Sequence, residues 1–542
     1  MMILLSFVLA MLVTTVTLPP LRAHATKLGL IDSPSAERKV HTQSTPHSGG
    51  VAIVLGALIG TIVWIPTYSD YLALFGCIAI IVLFGLLDDL YELGHRTKFL
   101  TQALACGLLV ANYGGFPQVP FVPLDSAPQW LTLGFSFVFL LGVTNAVNLS
   151  DGLDGLAAGN GLLSLIVLAL LSAQTGQSAL FVLSLALAGG LVGFLRFNTH
   201  PASIFMGDTG SQFIGFTAAA ITMLVVQTEQ SPLGALVPVL IFGLPILDTL
   251  MVIGIRKWRG RPVFSADRSH LHHQLLHIGL HHYEVVIILY ALQAVCIGIA
   301  YQFRFVSDAL VLLAYLVFCA ATLGLVGAAR IGGWKVHQQR TDGTQERRNL
   351  VLRKLSWYQE NTARVIATLV GAMIFGAMFF QASNVSLDTA IANNVRLAAI
   401  AALVVIVCVW VLFRRNMLVV TRAACYLACP LATYSVLLGA GAPAGTRWMD
   451  LALLLLGLAL ALAIRLTRKS LFHLDSQDYL ILLIVAITPI LLPADVEGAT
   501  ATRIVVYLAV MLYSAEFVAN KGNLTRWALT GASAVSVAML AF

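Results

Sequence analysis

The sequence predicts an all-α, polytopic integral membrane protein, and three observations carry that prediction. Hydrophobic residues make up 58% of the chain and charged residues only 11%, with a mean hydropathy of +0.87. Soluble domains carry roughly a quarter charged residues. Apolar runs of the length that crosses a bilayer, about 17–25 residues, recur along the whole chain. These runs do not alternate, as the strands of a membrane β-barrel would.

About eleven spans precede residue 330, near 2–18, 49–66, 71–87, 99–112, 129–147, 161–173, 178–195, 213–226, 233–254, 284–302 and 308–329. The first lacks a basic leader and a small-residue cleavage site, so it is expected to remain as a helix. The second follows HSGG (47–50), and the third ends on Asp88 and Asp89. The fourth opens behind Arg96 and Lys98, and the fifth runs into NAVNLSDGLDGLAAG at 145–159. A short uncharged turn near 172–177 joins the sixth to the seventh, and MGDTGS (206–211) precedes the eighth. The ninth leads into a loop bearing Arg256, Lys257, Arg259, Arg261 and Arg268. The tenth and eleventh then return the chain to a basic stretch that begins at Arg330.

Lys and Arg gather in alternate loops, which the positive-inside rule assigns to the cytoplasm, leaving the N-terminus external. The same rule accounts for the net charge of +7, which in a soluble chain would suggest nucleic acid; no nucleic-acid partner is expected. The seven cysteines sit almost entirely inside apolar runs, with no spacing for a zinc site or a disulfide framework, and read as packing residues. Six or seven further spans follow a basic stretch. The expected organisation is a membrane-embedded core over 1–330, a basic cytoplasmic linker over 331–362 and a C-terminal transmembrane extension over 363–542 of no assigned role.

The acids fall on one side of this topology. Asp88 and Asp89, Asp151 and Asp154, Asp208, and Asp248 all lie at or toward the basic face. Ionisable groups at membrane depth are costly, so their default reading is functional. A single Asp there reads equally well as a helix cap. Five at that face, Asp88, Asp89, Asp151, Asp154 and Asp208, with Asn148 as an amide oxygen among them, suit a magnesium–phosphate site, because magnesium takes hard oxygen ligands and shares them with phosphates. The glycines of DGLDG and MGDTGS allow backbone amides close to anionic oxygens. In SHLHHQLLHIGLHH (269–282), His273, His277 and His281 are spaced by four, which fits zinc, anion binding in a basic loop, or solvated interfacial histidines. RKVHTQSTPHSGG (38–50) adds Lys39, His41 and Thr45 to the same face.

Five blocks, KVHTQSTPHSGG, GLLDDL, NAVNLSDGLDGLAAG, FNTHPASIFMGDTGSQFIGF and ADRSHLHHQLLHIG, occur in the order found in the polyprenyl-phosphate N-acetylhexosamine-1-phosphate transferases, which the chain resembles over roughly residues 1–330. That family includes the phospho-N-acetylmuramoyl-pentapeptide translocases. The resemblance implies transfer of a sugar 1-phosphate from a UDP-N-acetylhexosamine to undecaprenyl phosphate at the cytoplasmic face of the inner membrane, with magnesium (manganese as the alternative) and release of UMP. It implies Asp88 as the base toward the lipid phosphate with Asp89 beside it, and Asp208 and Asn148 as metal ligands. Asp151, Asp154, Asn198 and Phe205 are similar to residues around the uridine and diphosphate, and Lys39 and Thr45 to positions near the nucleotide. His270, His272 and His273 form the His-x-His-His pattern of the antigen-initiating branch, which favours UDP-N-acetylglucosamine. The partners implied are that nucleotide sugar, the lipid phosphate and the bilayer, with a homodimer as a further candidate. The competing class is a transporter or flippase of lipid-linked sugars, which would carry its polar groups near mid-span instead of at one face.

Overall fold

The computed structural model describes residues 2–32, 45–64, 69–122, 126–228, 234–262 and 269–333, short stretches beyond 395, and a last helix, Asn523–Ala541. Lys39, the linker beyond residue 333 and most of the later spans lie outside the described residues. The chain divides into two compact units: Met2–Gln338 with Asp475–Leu483, and Gln339–Leu474 with Ile484–Phe542 and Met1. All that follows concerns the first.

Its helices follow the apolar runs: α1 (Met2–Leu28), α2 (Gly49–Ile62), α3 (Leu72–Tyr91), α4 (His95–Tyr113), α5 (Gln129–Leu149), α6 (Leu156–Gln174), α7 (Ser178–Asn198) and α8 (Gly207–Val226). After these come α9 (Val237–Ile241), α10 (Gly243–Trp258), α11 (Leu271–His277), α12 (His282–Gln302) and α13 (Asp308–Ile331). Two residues each of β1 (Ile31–Asp32) and β2 (Thr45–Pro46) pair antiparallel between α1 and α2. The protein is an all-α, multi-pass membrane protein. Eight of the described helices are long and apolar enough to cross a bilayer: α1 (from Ser6), α3, α5, α6, α7, α8, α12 and α13. Three of the expected eleven spans fall short of that measure. They are α2 with 14 residues, α4, which opens on His95, Arg96 and Lys98, and the ninth span, which is broken.

The wholly buried helix is α8, packed against α2, α3, α5 and α6. Close approach needs small residues where helices cross, as in membrane bundles generally. At Gly50 in the first turn of α2, a Cβ would collide with the backbone nitrogen of Gly210 in α8. The backbone bonds Gly49 N–Phe205 O and Gly50 N–Met206 O, both 2.9 Å, lay α2's start on the segment that leads into α8.

The ninth span breaks at Phe242, so α9 and α10 form two pieces instead of one helix over 233–254. Pro245 cannot donate to the helix ladder, and the broken turn exposes carbonyls at a depth without water. Neighbouring side chains satisfy them. Ser164 of α6 and Gln293 of α12 donate to Ile241 O at 2.9 and 2.7 Å, and Tyr315 of α13 donates to Gly243 O at 2.8 Å. Gln293 Oε1 accepts from Leu244 N at 3.2 Å. The first helix also differs, continuing through Pro19 and Pro20 to Leu28, so Arg22 and Lys27 lie on helix and not in a loop.

Replacing Gln293 by Leu leaves the Leu244 amide without that acceptor in a buried site. We expect Q293L to lower stability by about 1–3 kcal/mol, read as a fall in the thermal unfolding midpoint in detergent; an unchanged midpoint would mean that the break does not depend on this amide.

Candidate functional site

The site is built on the N-terminus of α8. A helix start leaves backbone N–H groups without partners and carries a partial positive charge. Here Gly207, at φ +68°, turns the chain into the helix, and Asp89 from the last turn of α3 meets the exposed donors. Asp89 Oδ1 accepts from Asp208 N at 2.7 Å, and Oδ2 accepts from Thr209 N at 3.0 Å and from Thr209 Oγ1 at 2.5 Å. The Asp89 carboxylate is therefore a helix cap supplied by another helix.

Neighbouring residues on a helix point about 100° apart, so Asp88 faces a different partner. Glu92, in the left-handed region at φ 49°, ends α3, and a turn through Gly94 starts α4. That reversal brings Lys98 back onto Asp88. Lys98 Nζ lies 2.7 Å from Asp88 Oδ2 and 2.9 Å from Asp208 Oδ2, joining two carboxylates from α3 and α8. From the last turn of α5, Asn148 Nδ2 donates to Asp208 Oδ1 at 2.6 Å and to Ser211 Oγ at 2.8 Å. A cleft of about 600 Å³ opens here, lined by His47, Asp88, Asp89, Lys98 and Asp208 among others.

The loop after α5 adds more negative charge. Asp151 keeps an exposed side chain yet has many protein atoms around it. Loss of hydration, and then the charges of Asp208, Asp154 and Asp89, push its carboxyl up to about 7. Asp88 and Asp208 share one ammonium, with Asp89 capping α8 beside them and Asp151 close by; such a gathering of hard anionic oxygens suits a divalent cation.

Around this centre the remaining predicted residues mostly hold loops in place. Asn198 is buried and uses both ends of its amide: Oδ1 accepts from Gly155 N at 2.9 Å and Nδ2 donates to Ile204 O at 2.9 Å. Asp154 Oδ2 meets His200 Nδ1 at 2.7 Å and Ala202 N at 3.0 Å. Both tie the loop after α5 to the segment between α7 and α8. Phe205 joins that segment to β2 through Phe205 N–Pro46 O at 2.7 Å, and Thr45 is buried beside it in the two-residue ladder.

The histidines divide differently from the spacing by four. Gly279, at φ +90°, follows α11, and His281 caps α12. His273, His277 and His281 therefore do not share one helical face. Among the described residues, the groups that could share a metal are instead Asp154 with His200 and His282, and Asp248 with His270 and His272. In the first, the two rings stack at 4.0 Å and 16°, so an ion in the plane of one ring lies out of the plane of the other. In the second, Asp248 Oδ2 meets His270 Nδ1 at 2.8 Å and Oδ1 accepts from Leu271 N at 2.7 Å, so it orients His270 and starts α11. His272 lies between the rings of His270 and His273 and presses on Gly152, where a Cβ would run into its ring. Burial, then His273, hold the His272 imidazole down to about 3, so it is neutral at physiological pH. Toward an anion it offers an N–H and no charge.

The structure thus gathers Asp88, Asp89, Asn148 and Asp208 in one centre, sets Asp151 near it, and brings His272 onto the adjoining loop. Lys98 and His200 carry no site role in the sequence reading, and Asp248 stands there only among the acids of the basic face. Lys98 sits in the basic segment after GLLDDL, but nothing in the string distinguishes it from Arg96.

The family model for glycosyl transferase family 4 matches residues 71–226, which contain α3 to α8 and the whole centre. The chain is 35% identical over 292 residues to a Bacillus subtilis (strain 168) protein named "Probable undecaprenyl-phosphate N-acetylglucosaminyl 1-phosphate transferase", covering 53% of this chain and 81% of that protein. The chain belongs to glycosyl transferase family 4. Other similar members of the family are the decaprenyl-phosphate N-acetylglucosaminephosphotransferase of Mycobacterium tuberculosis (strain ATCC 25618 / H37Rv), 36% identical over 52% of this chain and 77% of that protein, and the phospho-N-acetylmuramoyl-pentapeptide-transferase of Geobacillus kaustophilus (strain HTA426), 34% identical over 48% and 83%. Each of these alignments spans about half of this chain.

The position of Asp151 yields a pH prediction. Its carboxyl is raised in the folded state to about 7 from 3.8, so its contribution to stability is fully present below 3.8 and is lost as pH rises to about 7. The Asp151→Asn variant escapes that loss. Its unfolding midpoint should match the parent's near pH 4 and exceed it by a margin that grows up to about pH 7 and then levels off; a constant offset across that range would contradict the raised value.

Proposed function

We propose that this family member transfers N-acetylglucosamine 1-phosphate from UDP-N-acetylglucosamine to undecaprenyl phosphate and releases UMP, at the cytoplasmic face of the inner membrane. The product would begin a lipid-linked envelope glycan such as an O-antigen or common antigen. The observation that carries this reading is the Asp88–Lys98–Asp208 bridge at the N-terminus of α8, with Asn148 against it. Support comes from the names of the relatives, two of which are named as N-acetylglucosamine phosphotransferases acting on a polyprenyl phosphate.

The reaction forms a bond from an oxygen of the lipid phosphate to the β-phosphorus of the nucleotide and breaks the bond from that phosphorus to the bridging oxygen, which leaves on UMP. Two anions must meet, so charge neutralisation and alignment dominate. Asp208 and Asn148 are the residues that would hold magnesium. The donor set fits, since Lys98 already places a cation where the Asp88 and Asp208 oxygens converge; Asn148 would have to present its carbonyl oxygen in place of its nitrogen. The ion would supply charge neutralisation on the diphosphate. Lys98 balances part of the carboxylate charge and is a donor within reach of a phosphate in the cleft. Asp88, facing the same cleft, would accept a proton from the lipid phosphate. That step is a modest one, because a phosphate monoester is half deprotonated near pH 6. The loops pinned by Asp154 and Asn198 keep Asp151 and the backbone of DGLDG in place around the nucleotide.

The transporter reading needs polar groups free at mid-depth. Gln293 and Ser164, near the middle of α12 and α6, are instead committed to the α9–α10 break, while the acids gather at helix ends. This favours chemistry at the surface over passage through the bundle.

Purified protein incubated with undecaprenyl phosphate, magnesium and a panel of UDP-sugars should release UMP with UDP-N-acetylglucosamine and not with the muramoyl-pentapeptide nucleotide. Preference for the pentapeptide nucleotide would overturn the choice of sugar, and no UMP release with any sugar would overturn the reaction. Asp208→Asn keeps the shape of the side chain and removes its charge, and should cut turnover by at least about a hundredfold even at high magnesium. Turnover near that of the parent would remove Asp208 from the site.

A further inference from the structure

One helical turn beneath Lys98, Asn148 and Asp208 lies a second set of three side chains on the same three helices. Gln102 is four residues after Lys98 on α4, Asn145 three before Asn148 on α5, and Gln212 four after Asp208 on α8. Residues three or four apart share a helical face, so each site residue stands over a carboxamide. The amides bond to one another in sequence: Asn145 Nδ2 donates to Gln102 Oε1 at 2.7 Å, and Gln102 Nε2 donates to Gln212 Oε1 at 3.1 Å. Asn145 Nδ2 also donates to Leu141 O at 2.8 Å, which fixes it on its own helix. Gln102 and Gln212 are 0% and 2% exposed.

Burying two amides and half-burying a third is an expensive way to fill space that leucines would fill at less cost. What amides add is a requirement for geometry. Apolar faces tolerate small slides and rotations, whereas a hydrogen bond weakens quickly away from about 2.7–3.2 Å and a straight donor angle. The helices α4 and α8 each pack on α3 and α5, and the Gln102–Gln212 bond ties them directly to one another. The bridge above it, Asp88–Lys98–Asp208, depends on that same spacing.

We propose that Gln102, Asn145 and Gln212 are positioning residues whose hydrogen-bonded chain sets the mutual register of α4, α5 and α8, and so holds Lys98, Asn148 and Asp208 as one cation- and phosphate-binding set. This rests on the reaction proposed for the site. The layer touches neither metal nor substrate and acts through the residues above it, as supporting shells beneath metal ligands do.

The test uses the full-length protein in detergent with Gln102→Met and Gln212→Met, which keep side-chain length and remove the hydrogen bonds. Affinity for Mn²⁺ is read by electron paramagnetic resonance without nucleotide, and kcat and KM for UDP-N-acetylglucosamine are read separately. Each variant should bind Mn²⁺ roughly 10–100-fold more weakly and lose kcat by a similar factor, with KM within about threefold of the parent. Should one variant not fold, the other carries the reading alone. Gln293→Met is the control for a buried amide lost away from the site: it should lower the unfolding midpoint and leave Mn²⁺ affinity as it was. Folded Gln102→Met and Gln212→Met proteins with parental Mn²⁺ affinity and kcat would overturn the proposal, as would an equal loss of Mn²⁺ affinity in Gln293→Met. A parent that binds Mn²⁺ more tightly than Gln102→Met but turns over no UDP-sugar would sink the proposed reaction and leave the layer's role standing.

Discussion

The contact on which the site depends is the carboxylate of Asp89 against the first amides of α8. Without an acceptor there, a wholly buried helix would begin with unpaired donors and an uncompensated dipole. With it, α8 starts at one depth and one angle, and its second residue, Asp208, is delivered next to Lys98. The cap does this from α3, so the helix that carries Asp88 also sets the position of the helix that carries Asp208. Two adjacent acids therefore do different work: one fixes architecture and the other faces the cleft.

The same separation runs outward. The centre consists of side chains at helix ends, while the loops that enclose it are pinned by buried polar side chains. Asn198 and Asp154 are the clearest examples, each using its polar atoms to join the DGLDG loop to the segment before α8. Polar residues in such a motif are consequently of two kinds, and their identity alone does not say which.

This explains how far the sequence could be read. The helices were legible wherever an apolar run had one cause, burial or lipid, and α5 matches its run to within two residues. The gathering of the acids on one face is an expectation from loop charge, and the structure sets Asp88, Asp89 and Asp208 at helix ends, Asp151 and Asp154 in the loop after α5 and Asp248 within α10. The break after α9 was not foreseen, because it depends on Ser164 and Gln293, which come from helices distant in sequence. Lys98 was passed over for the same reason: its importance comes from a turn at Glu92 that aims it back at Asp88. The spacing of four among the histidines suggested one face, and the left-handed Gly279 divides it.

The two acids also differ in how long each waits during synthesis. Asp88 finds its ammonium on the very next helix, so that pair closes as soon as α4 follows α3 into the bilayer. Asp89 finds its donors 119 and 120 residues later. At about 5–20 residues per second, that is roughly 6–24 seconds of translation. For that interval the nascent bundle holds a carboxylate without its donors, and four more helices, α4 to α7, must be added before α8 arrives to complete the pairing. The pairing is thus finished by the helix at the centre of the site, and a chain halted before residue 207 holds Asp89 without its donors.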